Sequence, residues 1–184
     1  MNFRNTNRAW GVVSKTLHWA IVLMILYQWY LGMHALSLGN SPAKISVFAL
    51  HKSLGMTIFM LAIVRLVWRW ANPVPSLEGM TKGWERLAAG FSHVALYGLI
   101  FLMPISGLLM SSARNFPVSW FGLFQWPDFV QPDEALFRQF QWLHKHLFQA
   151  LVIIAILHIL GALKHHFIDR NDVLKRMLPF GGVK

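Results

Sequence analysis

Four long apolar runs constrain this chain more than any other feature. From Thr16 through Ala43 no side chain carries a formal charge, and a second uncharged run lies between Arg86 and Arg114. The hydrocarbon core of a bilayer is about 30 Å thick, and a helix needs roughly 20 apolar residues to cross it. Inside lipid each backbone polar group must be satisfied within its own segment, so runs of this kind fold as helices. Spans are expected at about 17–36, 46–69, 87–112 and 143–166. The expected fold is all-α: an integral membrane four-helix bundle forming a single domain over residues 1–184.

Punctuation between the runs agrees. Asn72-Pro73-Val74-Pro75 closes the second span, because proline cannot continue a helical ladder. Pro104 should kink the third. Arg114 to Trp142 reads as a long connection with Pro117, Pro127 and Pro132 among the aromatics Trp120, Phe121, Phe124 and Trp126. Such a loop is expected to hold an element at the membrane boundary, where Trp is enriched. No small-residue cleavage site follows the first apolar run, which reads as a retained helix.

The formal charge of +10 does not form a nucleic-acid patch, since the bases sit in short clusters between spans. The N-terminal segment, the 65–86 region and the tail through Lys184 hold twelve Lys and Arg. Lys44, Lys52, Arg114, Arg138 and Lys145 fall on the other side. By the positive-inside rule the richer side, with both termini, is cytoplasmic. The absence of cysteine excludes disulfides, thiol catalysis, iron–sulfur ligation and c-type haem attachment.

Ionisable residues within a membrane are functional candidates by default. His144 and His158 are fourteen residues apart on the fourth span. On a helix this is about 21 Å of rise with the side chains about 40° apart, so both face one side. His51 lies near the outer end of the second span and His18 near the inner end of the first. Depth pairs His51 with His144 and His18 with His158. Histidine is a common axial ligand of haem iron, and the pairing predicts two b haems, each clamped between two helices. For each histidine alone, the plainer reading is a hydrogen bond to a neighbouring backbone.

Other residues fit the same frame. Gly32 is fourteen after His18, Arg65 is fourteen after His51, and Gly55 and Gly161 follow His51 and His158 by about one turn. Glycine allows a porphyrin to approach the backbone, and arginine can pair with a propionate. Close helix packing explains the glycines equally well, and snorkelling explains Arg65. His146 points off the shared face, His165 and His166 lie level with the head groups, and His34 sits in or beside the outer loop. His93, read as the start of the third span, has no partner at a fitting depth; a hydrogen bond or a quinone contact is the expectation.

Lys15-Thr16-Leu17-His18-Trp19, Leu50-His51-Lys52-Ser53-Leu54-Gly55, Ser92-His93-Val94-Ala95-Leu96-Tyr97-Gly98, Leu157-His158 and His165-His166-Phe167 together resemble the bacterial cytochrome b561 family. The resemblance covers essentially the whole chain. It implies an inner-membrane protein with two b haems held by His18, His51, His144 and His158. It also implies electron exchange with quinone, and for some members oxidation of superoxide at the outer face. Lys52, Arg114 and Lys145 are expected to attract an anionic donor there, with Lys52 and Arg114 as possible propionate contacts. Two other functions compete: a cytochrome b anchor linking a partner dehydrogenase or hydrogenase to quinone, and a histidine-lined metal transporter. The transporter expects acidic residues beside the intramembrane histidines, and the spans contain none.

Overall fold

The computed structural model describes residues 2–179. Lys184, counted above in the basic tail, lies outside the described residues. Four helices dominate: α1 (Val12–Ser37), α2 (Pro42–Trp70), α3 (Gly83–Ala113) and α4 (Glu134–Phe167). All four are long and apolar enough to cross a membrane. Between α3 and α4 a hairpin pairs β1 (Ser119–Trp120) antiparallel with β2 (Phe124–Gln125), in the register Ser119 to Gln125 and Trp120 to Phe124.

Every helix overruns its apolar run, because the helix ends are set by polar caps that hydropathy does not register. Ser41 precedes Pro42, a first-turn proline whose missing N–H costs nothing at a helix start. Lys82 N–H donates to Glu85 Oε2 at 2.8 Å, the reciprocal half of a capping box. Leu136 N–H donates to the Asp133 carboxylate at 2.8 Å, so α4 starts at Glu134 and not near residue 143. The connection expected to reach Trp142 is therefore shorter, since residues 134–142 are helical. Helix α3 continues unbroken through Pro104.

Two compact units divide the chain. The first takes the described parts of Met1–Ala20, Ile63–Gly98 and Leu151–Lys184, and the second takes Ile21–Ala62 and Leu99–Ala150. A segment of each helix belongs to each unit.

In the first unit, the N-terminal segment folds over the start of α1. Asn5 Oδ1 accepts from Gly11 N–H at 2.9 Å and from the Ser14 hydroxyl at 2.7 Å. A Cβ on Gly11 would stand 2.4 Å from the Phe3 carbonyl oxygen, so only glycine fits. The C-terminal tail is tied down by three long-range bonds. Trp19 Nε1 donates to the Met177 carbonyl at 2.9 Å, Arg176 to that of Ser76 at 2.8 Å, and Asn171 to that of Met80 at 2.9 Å.

The second unit packs Met56, Leu108 and Val118 beneath Phe59, Trp120 and Trp126. The hairpin is pinned to α2. Trp120 Nε1 donates to Thr57 Oγ1 at 3.0 Å, and Phe121 N–H donates to Ser53 Oγ at 3.1 Å. Its turn holds Phe121 at φ 49° and Gly122 at φ 76°, the left-handed region that glycine enters without strain.

Burial is inverted relative to a soluble protein. Ser53, Ser106, Ser111, Ser112, Ala35, Ala62 and Ala113 are buried, whereas Leu23, Val64, Phe91, Leu102, Ile153, Leu157 and Leu160 are exposed. Lipid tails are as apolar as leucine, so helix contacts in a membrane favour small residues and leave large ones facing outward.

Charge is concentrated at the first unit's helix ends. Lys164 forms ion pairs with Glu85 and with Asp169, the latter at 2.8 Å, and His165 Nδ1 lies 2.7 Å from Asp169. The Lys164 hydrogen bond holds the Asp169 carboxyl below the usual carboxylate range. A depressed carboxylate stabilises the fold above its unfolded pKa and ceases to do so as pH falls through the folded value. Asp169→Asn is therefore expected to lower the thermal midpoint modestly at neutral pH and to flatten its decline on acidification. Melting of detergent-solubilised protein across pH measures both.

Candidate functional site

The histidines form two clusters, one in each unit. In the second unit His51 of α2 faces His144 of α4, with ring centroids 6.4 Å apart and planes at 71°. Metal–imidazole bonds are about 2.0–2.1 Å, so adding about 1.1 Å from nitrogen to ring centre puts two rings on opposite sides of one metal about 6.3 Å apart. The spacing matches a single ion between them.

Two glycines back these rings. A Cβ on Gly32 would lie 3.7 Å from His51 Cε1, and one on Gly107 would lie 3.3 Å from His144 Cε1. In both cases Nδ1 is the next nearest atom, at 3.9 and 3.6 Å. The Nδ1 edge of each imidazole thus turns toward a helix backbone. His144 Nδ1 also lies 2.9 Å from Ser106 Oγ, whereas His51 Nδ1 is buried without a hydrogen-bond partner. Gln28 Nε2 donates to the His51 carbonyl at 2.9 Å, and Gly55 leaves room for that amide, 3.0 Å from where a Cβ would stand. Gly161 has nothing within 4 Å of an added Cβ.

In the first unit the His158 ring lies 5.3 Å from that of His93, with planes at 61°. His18 is within electrostatic reach of both and of Arg65, and its ring packs edge-on against Trp19 at 5.4 Å. This corrects the expectation that His93 lacks a partner. Because α3 starts at Gly83, His93 lies in its third turn, deeper than a span beginning near 87 implies. Arg65 donates from Nη1 to the Ser14 carbonyl at 2.7 Å and faces Tyr97, whose hydroxyl is buried without a well-formed bond. The Arg69 guanidinium lies over the Trp10 ring at 5.6 Å.

The bases of the second unit are partly engaged. Lys52 donates to the Phe116 carbonyl at 3.1 Å and lies over that ring. Arg114 is ion-paired with Glu134 and lies 4.8 Å from the Phe137 ring centre. His146 turns back on Trp142, with Nδ1 2.7 Å from its carbonyl oxygen. His34, in the last turns of α1, stacks on Tyr30. Ser106, Gly107 and Gln28 carry no signal that reasoning from the histidines could use.

Comparison with known proteins settles the family. Residues 9–180 match prokaryotic cytochrome b561. The chain belongs to the prokaryotic cytochrome b561 family. It is 36% identical over 179 residues to cytochrome b561 homolog 2 of Escherichia coli (strain K12), covering 97% of this chain and 95% of the relative. Cytochrome b562 of Cereibacter sphaeroides is 27% identical, over 89% of this chain and 90% of its own length. The probable superoxide oxidase CybB of Yersinia pestis is 25% identical, over 94% of this chain and 97% of its own length.

As a cytochrome b561, the protein is a membrane electron carrier that uses haem b. Its residues fit that group. Imidazole nitrogens are suitable iron donors, the His51–His144 spacing suits a bridging metal, and Gly32 and Gly107 leave the space beside both rings unfilled. The ionic trio Glu85, His165 and Asp169 could in principle ligate a cation, but the Lys164 ammonium already lies against both carboxylates.

Proposed function

We propose that residues 1–184 act as one cytochrome domain of the bacterial inner membrane, with both termini cytoplasmic and two b haems. His51 and His144 would hold the outer haem, and His18 and His158 the inner one. Arg65 is the contact for an inner propionate. The observation that carries this reading is the 6.4 Å separation of the His51 and His144 rings. Haem supplies reversible one-electron chemistry, and the protein tunes it through ligands, burial and hydrogen bonds.

The proposed reaction takes electrons from superoxide at the outer face and delivers them to the quinone pool. Two superoxide anions release two electrons and two O₂, and with two protons those electrons convert one quinone to quinol. Two histidine donors for each haem would leave no site for a substrate to bind the iron, and the chemistry supplied would be outer-sphere electron transfer. The 25% identical relative named as a probable superoxide oxidase supports this choice of donor. Absorbance of the purified protein, oxidised and reduced, with haem counted per chain, tests the cofactor reading. Two haems per chain are expected, and a colourless preparation from haem-replete cells would overturn it.

Charge steering gives a separate test of the donor. Basic residues around a site raise the encounter rate of an anion in a salt-dependent way. Arg114 is ion-paired with Glu134, whereas Lys52 donates to the neutral Phe116 carbonyl and has the Asp128 carboxylate within electrostatic reach but no ion pair with it. Lys52→Gln is therefore expected to slow superoxide-driven haem reduction about two- to five-fold at low ionic strength, with Arg114→Gln having a smaller effect. Stopped-flow reduction at two salt concentrations measures this. Equal rates in wild type and Lys52→Gln would remove Lys52 from the approach path.

A further inference from the structure

Ser106 is 2% exposed, in the apolar half of α3 that belongs to the second unit. Its Oγ makes two contacts, to the Met103 carbonyl oxygen at 2.8 Å and to His144 Nδ1 at 2.9 Å. A serine hydroxyl has one proton to give and can accept on its lone pairs. A carbonyl oxygen can only accept, so the 2.8 Å contact takes the hydroxyl proton. The contact with His144 is then satisfied in one way: the imidazole holds its hydrogen on Nδ1 and donates it to Ser106. Nε2 is left with a free lone pair, the form of histidine that binds metal.

His51 has no such side-chain partner: its Nδ1 is buried without a well-formed hydrogen bond, and the acceptor nearest in kind is the Gln28 backbone carbonyl. The two imidazoles facing one another at 6.4 Å are therefore unequal. One has a hydroxyl acceptor at 2.9 Å, Ser106 Oγ, itself bonded to the Met103 carbonyl, and the other has no side-chain partner. A hydrogen bond donated from Nδ1 makes the imidazole a stronger electron donor at Nε2. Stronger donation favours ferric over ferrous iron and so lowers the reduction potential.

We propose that Ser106 is a positioning residue that sets the tautomer of His144 and holds down the potential of the haem that His144 ligates, leaving the other haem unaffected. This rests on the proposed ligand role of His144. Ser106→Ala removes the hydroxyl acceptor and leaves only the Met103 carbonyl to His144, and Ser106→Thr keeps a hydroxyl in the same place.

The test is a potentiometric titration of full-length holoprotein followed by haem absorbance, with low-temperature EPR of the oxidised protein. In Ser106→Ala one redox component is expected to shift upward while the other stays in place, with one of two low-spin ferric signals displaced. In Ser106→Thr both are expected to return toward wild type. Unchanged potentials in Ser106→Ala, equal shifts of both components, or no recovery with threonine would each overturn the proposal. If Ser106→Ala binds too little haem to titrate, Ser106→Thr decides: retained haem at wild-type potentials supports the role, and loss in both variants overturns it. His144→Ala run alongside separates the two ideas. A variant that keeps both haems with unaltered spectra removes the ligand reading itself, whatever the Ser106 variants show.

Discussion

His144→Ala is expected to halve the haem bound per chain, leaving one low-spin b haem with a single redox component. His158→Ala is expected to do the same for the other component, so the two variants should retain different halves of the wild-type redox titration. The expectation follows from how each cluster is built. His51 and His144 belong to one compact unit, and His18 and His158 to the other. Within the first unit His93 complicates the outcome, because its ring lies 5.3 Å from that of His158. His93→Ala alone is expected to keep both haems, and the double variant His93→Ala/His158→Ala shows whether His93 substitutes as a donor when His158 is gone. Haem counted as the pyridine complex against protein mass gives the stoichiometry. Full haem content in His144→Ala would refute its assignment as a ligand.

The second large effect is expected at Gly107. A Cβ there would approach His144 Cε1 to 3.3 Å, tighter than ordinary contact but relieved by a shift of a few tenths of an ångström. Gly107→Ala should therefore bind haem while displacing the spectrum of one centre. Gly107→Leu places three further carbons on the imidazole. Overpacking of this kind costs about 1–3 kcal/mol in a close-packed core. The cheapest relief is rotation of the His144 ring, which breaks the 2.9 Å contact with Ser106. Loss of the His144-dependent haem is expected, with the other retained. Gly32→Ala serves as the control, because its Cβ would meet His51 Cε1 at an ordinary 3.7 Å. Haem loss in Gly32→Ala but not in Gly107→Leu would show that the two glycines have been weighted the wrong way round.

The histidine pattern was legible because an α-helix has a fixed rise and twist. Fourteen residues between His144 and His158 is a statement about depth and direction before any contact is known. The apolar runs gave the four helices for the same reason, but not their ends. Those depend on Asp133, Lys82 and Glu85, polar residues outside the runs whose capping bonds leave no trace in hydropathy. The same caps bear on His93: a span beginning near 87 offers it no neighbour, whereas α3 from Gly83 carries it to the His158 ring. The pairing of Arg114 with Glu134 spans twenty residues and a hairpin, and no periodic signal announces a contact of that kind. Ser106 was hidden for another reason. A serine in an apolar helix usually bonds its own backbone, and only the position of His144 shows that this one also turns a lone pair toward an imidazole.

The tail contacts also make one histidine cluster depend on the far end of the described residues, and the other not. The second unit takes no residue after Ala150, so the surroundings of His51 and His144 do not draw on the tail. The first unit draws on residues from 151 onward, and the indole of Trp19 bonds to the carbonyl of Met177, 158 positions later. The surroundings of His18 are therefore assembled from segments far apart in the sequence. Loss of the Trp19–Met177 bond should accordingly disturb the surroundings of His18 while leaving those of His51 and His144 in place.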